Sequence, residues 1–112
     1  MRYFTLNEMS KIYRLNLVNS ITGYKSAHLI GSQSLDGKNN VAVFSSVIHL
    51  GSNPALIGFI LRPTSVPRHT YSNIKATGIF TLNAITKKQI KDAHHTSAKY
   101  PEEISEFDKT NL

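Results

Sequence analysis

The alternation of apolar and polar residues divides the first half of the chain into short elements. Apolar positions between residues 6 and 17 recur at intervals of three and four, which predicts a short helix that Asn7 could cap. Residues 26–34 and 40–50 have the composition of strands. Asp36-Gly37 lies between them, and this dipeptide supplies the positive φ that a tight turn needs. The pattern therefore predicts a β-hairpin.

The second half continues with shorter elements. Residues 51–54 form a turn by composition, and the apolar run 55–61 has the length of a strand buried on both faces. Residues 71–77 are predicted to form a helix that Thr70 caps and Gly78 ends. The sequence also predicts a strand at 79–85, a second short helix from 87 to about 94 that Thr86 could cap, and a loop from 96 onward.

These elements favour a mostly β fold. Four strand candidates with two short helices, the first two strands joined by a hairpin, predict a largely antiparallel sheet. A curled sheet or β-barrel fits short helices better than a doubly wound sheet does. Two or three more strands would be needed to close a barrel, so the barrel is expected to be incomplete.

Composition limits the chain to one domain over residues 1–112. The 112 residues are 40% hydrophobic and 18% charged, which suits a packed core. The absence of Cys excludes a disulfide framework, a thiolate zinc site and a Cys nucleophile. No signal-peptide pattern and no run of about 20 apolar residues is present, so we expect a cytoplasmic protein without a membrane partner.

Charge is distributed unevenly. The net charge is +6, but residues 1–91 carry +9 and the last 21 residues carry −3. A basic body favours an anionic partner: nucleic acid, acidic lipid or a phosphorylated small molecule. Because the cations are scattered and never form a run of four, they suit discrete phosphate contacts better than a surface that follows DNA.

Two groups of residues could bind a ligand. Ser45 and Ser46 place adjacent hydroxyls inside an apolar strand; one hydroxyl could be satisfied by neighbouring backbone, or both could face a polar ligand. The second group is cationic and surrounds a predicted helix start, where free N–H groups and the helix dipole favour phosphate. Its members are Arg62, Arg68, His69 and Thr70, although Thr70 could serve only as a cap and the arginines could be solvated.

Other motifs are excluded. His94 and His95 are adjacent, and with no third ligand at suitable spacing they predict no metal site. G-x-S-x-G, G-x-G-x-x-G and the P-loop motif are all missing from the sequence, so a serine hydrolase elbow, a dinucleotide fingerprint and a P-loop NTPase are unsupported.

Four segments between residues 26 and 108 together resemble the flavin reductase-like, FMN-binding split-barrel family. They are NNVAVFSSVIHLGSNP, GFILRPTSVPRHTYSNI, GIFTLNAI and AHHTSAKYPEEISEF. The resemblance implies a β-barrel that binds FMN, usually at a homodimer interface, and reduction of flavin by NADH or NADPH. It also implies site residues. Ser45, Ser46, Val47 and Ile48 would face the ring or ribityl chain; Arg62, Arg68, His69 and Thr70 would meet at the phosphate; and Asn83 would lie near the ring.

The resemblance also sets expectations for length and activity. Family members are normally about twice as long, so we expect an N-terminal part or a truncated member without the C-terminal part of the fold. The leading hypothesis is an NAD(P)H-dependent oxidoreductase in which no protein acid or base is assigned, because hydride transfer to flavin requires none. Alternatives are a flavin-binding protein without turnover and a small basic nucleic-acid-binding barrel. The latter is disfavoured because aromatic and basic residues do not interleave on one strand.

Overall fold

The computed structural model describes residues 5–62, 69–96 and 110–112. This part of the chain contains five strands and three α-helices, with short 3₁₀ turns at Leu6–Glu8 and Lys87–Gln89. In chain order the elements are α1 (Lys11–Ile21), β1 (His28–Gln33), β2 (Asn39–Phe44), β3 (Ile48–Ser52), β4 (Ala55–Gly58), α2 (His69–Thr77), β5 (Thr81–Ala84) and α3 (Ile90–His95).

The strands form two separate antiparallel sheets. β1 is the central strand of the larger sheet, with β2 on one side and β5 on the other. The registers align Leu29 with Val43 across β2 and with Asn83 across β5. β3 and β4 pair only with each other. The prediction of antiparallel pairing is therefore confirmed.

The predicted mostly β class needs correction, because helices contain more of the described residues than strands do. The described strands do not close a barrel, which agrees with the incomplete barrel that the sequence predicts. The excess of helix comes mainly from α1. In addition, α2 begins two residues before the predicted helix, and the helix predicted from residue 87 is a 3₁₀ turn followed by α3. The molecule is a mixed α/β fold with antiparallel sheets.

Helices cover both faces of the three-stranded sheet. On one face Leu29 and Val41 pack with Ala93 of α3, and all three are buried. On the other face Ile30 is completely buried on the side that α2 covers. This sandwich contains most of the buried apolar side chains of the described chain, so it is the core that positions the neighbouring loops.

The β1–β2 hairpin is confirmed at the turn that the sequence predicts. Gly37 has φ of +89°, and its N–H donates to the carbonyl of Ser34 at 3.0 Å. The N–H of Ser34 in turn donates to the carbonyl of Lys38 at 2.9 Å. A left-handed backbone at this position explains why the turn needs glycine.

Helix ends follow their caps, with two corrections. Gly78 ends α2 with φ of +69°, and Thr86 caps the helical segment that follows it, as the sequence predicts. The structure adds that Thr86 and Gln89 form a capping box. The cap of α1 is Ser10 rather than Asn7, because the Ser10 hydroxyl accepts from the N–H of Tyr13. Thr70 lies inside α2 rather than at its cap, since its side chain is turned into the sheet.

Two predictions about strands were wrong. Residues 40–50 do not form one strand, because the chain bends at Ser45-Ser46 and β3 begins at Ile48 in a different sheet. The run 55–61 is not buried on both faces: β4 ends at Gly58, and Leu56, Ile57 and Ile60 are exposed. The hydrophobic pattern shows that a segment is apolar, but it does not show whether other parts of this chain pack against it.

Helix α1 contributes nothing to the buried core of the described chain. None of its residues is buried. It nevertheless carries five large apolar side chains that are 49–74% exposed: Ile12, Tyr13, Leu15, Val18 and Ile21. No helix in the described ranges has the length and hydropathy needed to cross a membrane.

The hairpin turn predicts a large effect of substitution at Gly37. Gly37→Val should destabilise the protein by about 1–2 kcal/mol or more, because a β-branched residue resists the left-handed conformation. Gly37→Asn is the matched control and should cost less, since Asn tolerates positive φ. Urea denaturation of both variants measures this. Equal midpoints for Gly37→Val and the parent would contradict the assigned turn.

The same turn predicts that the pKa of Asp36 depends on the side chain of Ser34. The Ser34 hydroxyl donates to the Asp36 carboxylate, and this hydrogen bond is the main reason that the pKa of Asp36 lies below its ordinary value. Ser34→Ala should therefore raise the pKa of Asp36 toward the ordinary value. Titration of the Asp36 carboxyl carbon by NMR in the parent and in Ser34→Ala tests it, and an unchanged pKa of Asp36 would contradict the assigned hydrogen bond.

Candidate functional site

The bend at Ser45-Ser46 joins the two sheets. The Ser46 hydroxyl donates to the carbonyl of Ile60 at 3.3 Å and accepts from its N–H at 3.1 Å. These two bonds replace the strand-ladder pairing that β2 has lost and fix the bend against the segment after β4. Ser46 is therefore occupied by neighbouring backbone, which was one of the two interpretations that the sequence left open.

An aromatic cluster supports the same joint. The ring of Phe59 lies 5.5 Å from that of Phe44 and 5.4 Å from that of Phe80, centroid to centroid, both edge to face. Phe44 ends β2, Phe59 follows β4 and Phe80 precedes β5. Edge-to-face aromatic pairs each contribute about 0.5–1.5 kcal/mol beyond their buried area. The cluster thus fixes the smaller sheet beside the larger one.

The remaining residues around the bend are accessible. Ser45 is exposed, and among the described residues its hydroxyl makes no hydrogen bond. Val47 is half-buried and Ile48 is exposed. Arg62 is also exposed and follows Ile60 by two residues, so the Ser46 bonds bring it to this end of the sheet. The bend therefore offers a hydroxyl donor and apolar surface, and Arg62 follows it closely along the chain.

The start of α2 lies over the opposite end of β2. The Asn40 amide donates to the Thr70 hydroxyl at 3.0 Å, and Thr70 is only 5% exposed. His69, the first residue of α2, is half-buried. Thr70 therefore docks the helix on the hairpin as well as lying at the helix start that the sequence singled out.

The structure does not bring all the predicted site residues to one place. Phe44 lies about 13 Å along β2 from Asn40 at the usual rise per residue, so Ser45 and Arg62 are at one end of the strand and Thr70 is at the other. Arg68 lies outside the described residues. A ligand that contacts both groups must extend along β2.

Asn83 is on the opposite face of the sheet from α2. It is the register partner of Leu29, which packs toward α3, and cross-strand partners share a face. Its amide donates to the carbonyl of Leu29 at 3.3 Å and to the hydroxyl of Thr81 at 3.2 Å. Asn83 thus orders the β5 edge, and the structure does not bring it into contact with the bend.

One residue near the bend was missed by sequence reasoning. His28 begins β1 and pairs with Phe44, the residue immediately before Ser45. Its Nδ1 atom is buried without a hydrogen-bond partner among the described residues. A lone histidine in a strand gives no sequence signal of this kind.

A comparison with known families identifies the chain. The model of the flavin reductase like domain matches residues 25–112. The chain belongs to the flavin reductase-like domain family. The match begins just after α1, so the domain as the family defines it contains both sheets, α2 and α3.

Solved structures agree with this membership. The flavin reductase-like domain superposes over its full length, with a TM-score of 0.90 and 43% identity, on a protein from Shewanella frigidimarina NCIMB 400 assigned as a flavin reductase with a split-barrel domain. Nitrilotriacetate monooxygenase component B from Bacillus cereus (TM-score 0.85, 21% identity, 100% of this chain) and 2-nitrobenzoate 2-nitroreductase from Pseudomonas fluorescens (0.79, 18%, 96%) share the fold.

The domain spans only part of these relatives. It covers 57%, 56% and 51% of the three chains respectively. No curated protein matches it. The split-barrel fold is therefore shared over a little more than half of each relative's length.

The two adjacent serines provide a prediction with a built-in control. Ser46→Ala should destabilise the protein by about 1–2 kcal/mol, since it removes both bonds to the Ile60 backbone. Ser45→Ala, at an exposed side chain, should change stability by less than about 0.5 kcal/mol. Urea denaturation compares them. If the two variants lost equal stability, Ser46 would not hold the joint.

Proposed function

We propose that this flavin reductase-like domain binds FMN and acts in reduction of flavin by NADH or NADPH. The single observation that carries the proposal is the family match over residues 25–112, which 43% identity to the Shewanella frigidimarina protein supports. The domain would act in the cytoplasm with flavin and a nicotinamide nucleotide as its small-molecule partners, and with neither nucleic acid nor a membrane.

The residues at the bend fit a flavin. An isoalloxazine ring needs apolar surface and a few hydrogen-bond donors, and Ile48 and the Ser45 hydroxyl offer these. A phosphate requires cationic donors, which Arg68 and His69 can supply.

The roles of the chain are to bind and orient. The chemistry that FMN supplies when bound is acceptance of a hydride from C4 of the nicotinamide at N5 of the flavin. Ser45, Val47 and Ile48 would contact the ring or ribityl chain directly. Ser46 would act by holding the bend, Arg68 and His69 would face the phosphate, and Thr70 would fix the helix start that presents them.

The two groups of predicted site residues lie at opposite ends of β2, and this separation determines how a bound flavin would be oriented. A flavin with its ring at the bend would extend its ribityl phosphate along β2 toward α2. The phosphate group would then meet Arg68 and His69, and Arg62 would lie nearer the ring. Asn83 would support the sheet under the ring rather than touch it, given its bonds to Leu29 and Thr81.

We also propose that the flavin-binding form is a homodimer. The family resemblance implies it, and the exposed apolar residues of β3 and β4 support it, because large exposed apolar patches mark interaction surfaces. Light scattering at micromolar concentration measures the assembly. A stable monomer that binds FMN would contradict this part of the proposal.

The visible spectrum of the purified protein tests flavin binding. Absorption bands of bound oxidised flavin, with FMN identified after denaturation, are expected. Oxidation of NADH or NADPH with added FMN then separates a reductase from a flavin-binding protein without turnover. A colourless protein that does not bind added FMN would contradict the proposal as a whole.

The phosphate contact gives a sharper prediction. Arg68→Ala should weaken FMN binding about ten- to a hundredfold, since a hydrogen bond to a charged group contributes about 1.5–3 kcal/mol. Riboflavin has no phosphate and should lose far less affinity. Arg14→Ala on α1, outside the matched domain, is the control and should bind both flavins normally. Equal losses for FMN and riboflavin would mean that Arg68 supports the fold.

A further inference from the structure

The end of β2 is held by a threonine that lies far away along the chain. β2 is an edge strand of the larger sheet, and alternate N–H groups of an edge strand point away from the sheet. The N–H of Val43, the residue before the last in β2, donates to the Thr96 hydroxyl at 3.1 Å. Thr96 directly follows α3, 53 residues later. Its hydroxyl therefore takes the place of a neighbouring strand at Val43.

The Thr96 hydroxyl has a fixed direction. It donates to the carbonyl of Ala93 at 2.7 Å, and a hydroxyl has one proton to donate, so its lone pairs are left to accept from Val43. Thr96 is 5% exposed, and Ala93, three residues earlier, packs in the core with Leu29 and Val41. The acceptor that Val43 meets is consequently held by the buried face of α3.

Thr96 and Ser46 hold the chain on both sides of Ser45. Val43 lies two residues before Ser45 and is bonded to Thr96. Ser46 follows Ser45 directly and exchanges two hydrogen bonds with the backbone of Ile60. The two held residues are within about 10 Å of each other along the chain. Ser45 itself is exposed, and its hydroxyl makes no hydrogen bond among the described residues.

The two contacts come from different parts of the fold. α3 packs on the larger sheet, whereas Ile60 follows β4 of the smaller sheet. A segment held at both ends has few conformations to choose from, and a segment held at one end can rotate about that point. Loss of the Thr96 contact should therefore allow the Ser45 side chain to change direction even while Ser46 keeps its bonds.

We propose that Thr96 is a positioning residue for the flavin site: its hydroxyl fixes the end of β2 and thereby the direction in which Ser45 presents its own hydroxyl. Thr96 acts through the backbone of Val43, since its side chain is buried. A preorganised hydroxyl binds more tightly because less conformational entropy is lost on binding. This inference rests on the flavin binding proposed above and adds a residue outside the set of site residues that the sequence predicts.

Flavin binding by variants of the full chain tests the inference. Thr96→Val keeps the branched shape and removes the hydroxyl. It should weaken the binding of FMN and of riboflavin alike, by about tenfold, because the bend would meet the ring end of the ligand and not its phosphate. Thr96→Ser keeps the hydroxyl and should bind both flavins within about twofold of the parent.

Thr77→Val is the matched control. The Thr77 hydroxyl also lies at a helix end, where it donates to the carbonyl of Asn73 at 2.8 Å and accepts from the N–H of Ile79 at 3.3 Å. Thr77 precedes the start of β5, and the bend lies beside the other end of that strand, where β5 and β2 both pair with His28. Thr77→Val should therefore lower stability and leave the affinity for both flavins unchanged.

Amide hydrogen exchange without flavin measures the effect of the substitution on the chain alone. In Thr96→Val the N–H of Val43 loses its acceptor, and the N–H of Ile60 is bonded to the bend that Thr96 steadies. Both should exchange about tenfold faster than in the parent, and Thr96→Ser should restore the parent rates. The N–H of Gly78, which is bonded at the end of α2, is the reference for any general loss of stability.

The outcomes separate this inference from the proposed function. Equal losses for both flavins in Thr96→Val, recovered in Thr96→Ser and accompanied by faster exchange at Ile60, would support the positioning role. If Thr77→Val lost as much affinity, if FMN alone were affected, or if exchange at Ile60 did not change, that role would be overturned and flavin binding would stand. A parent that binds neither flavin would overturn the proposed function and, with it, the role of Thr96 in binding.

Discussion

The docking of α2 on the β1–β2 hairpin depends on four buried polar side chains. Asn40 donates to Thr70 at 3.0 Å and Asn73 donates to Ser32 at 3.2 Å. Ser32 and Asn40 are direct register partners, and Thr70 and Asn73 are three residues apart on the helix. Both spacings are about 5 Å between Cβ atoms, so one helical turn matches one cross-strand pair.

This match constrains the rest of the larger sheet. Buried polar groups have favourable energies only when paired, so α2 cannot slide or rotate without leaving an amide unsatisfied. The position of His69 at the helix start is fixed as a result. With α2 held on one face and α3 on the other, β1 is ordered along its length, and β5 can pair at its free edge.

The smaller sheet is held much more weakly. An isolated two-stranded sheet is marginally stable in water, and the described contacts that fix β3–β4 to the larger sheet are the Phe44–Phe59–Phe80 cluster and the two Ser46–Ile60 bonds. The candidate flavin site lies at this joint. Any partner that covers the hairpin would therefore also stabilise the bend.

The features that could be predicted from the sequence are those decided within a few residues. Gly37 and Gly78 take positive φ because the turn and the helix end require it, and Thr86 and Gln89 complete a capping box three residues apart. The break at Ser46 could not be predicted, because it depends on the backbone of Ile60, fourteen residues away. Tertiary contacts decided that break, and also the turning of Thr70 into the sheet.

In the candidate site, too, local sequence and tertiary contacts decide different features, as Ser45 and Ser46 show. The sequence placed two hydroxyls side by side but could not say which one the fold would use. Because Ser46 is taken up by Ile60, it ties the two sheets together, and the exposed neighbour Ser45 keeps a hydroxyl that can face a ligand. A bend fixed by one serine is what holds the other in a constant position. Binding at Ser45 therefore depends on the packing that Ser46 provides, since a hydroxyl on an unanchored loop would lose conformational entropy on meeting its ligand.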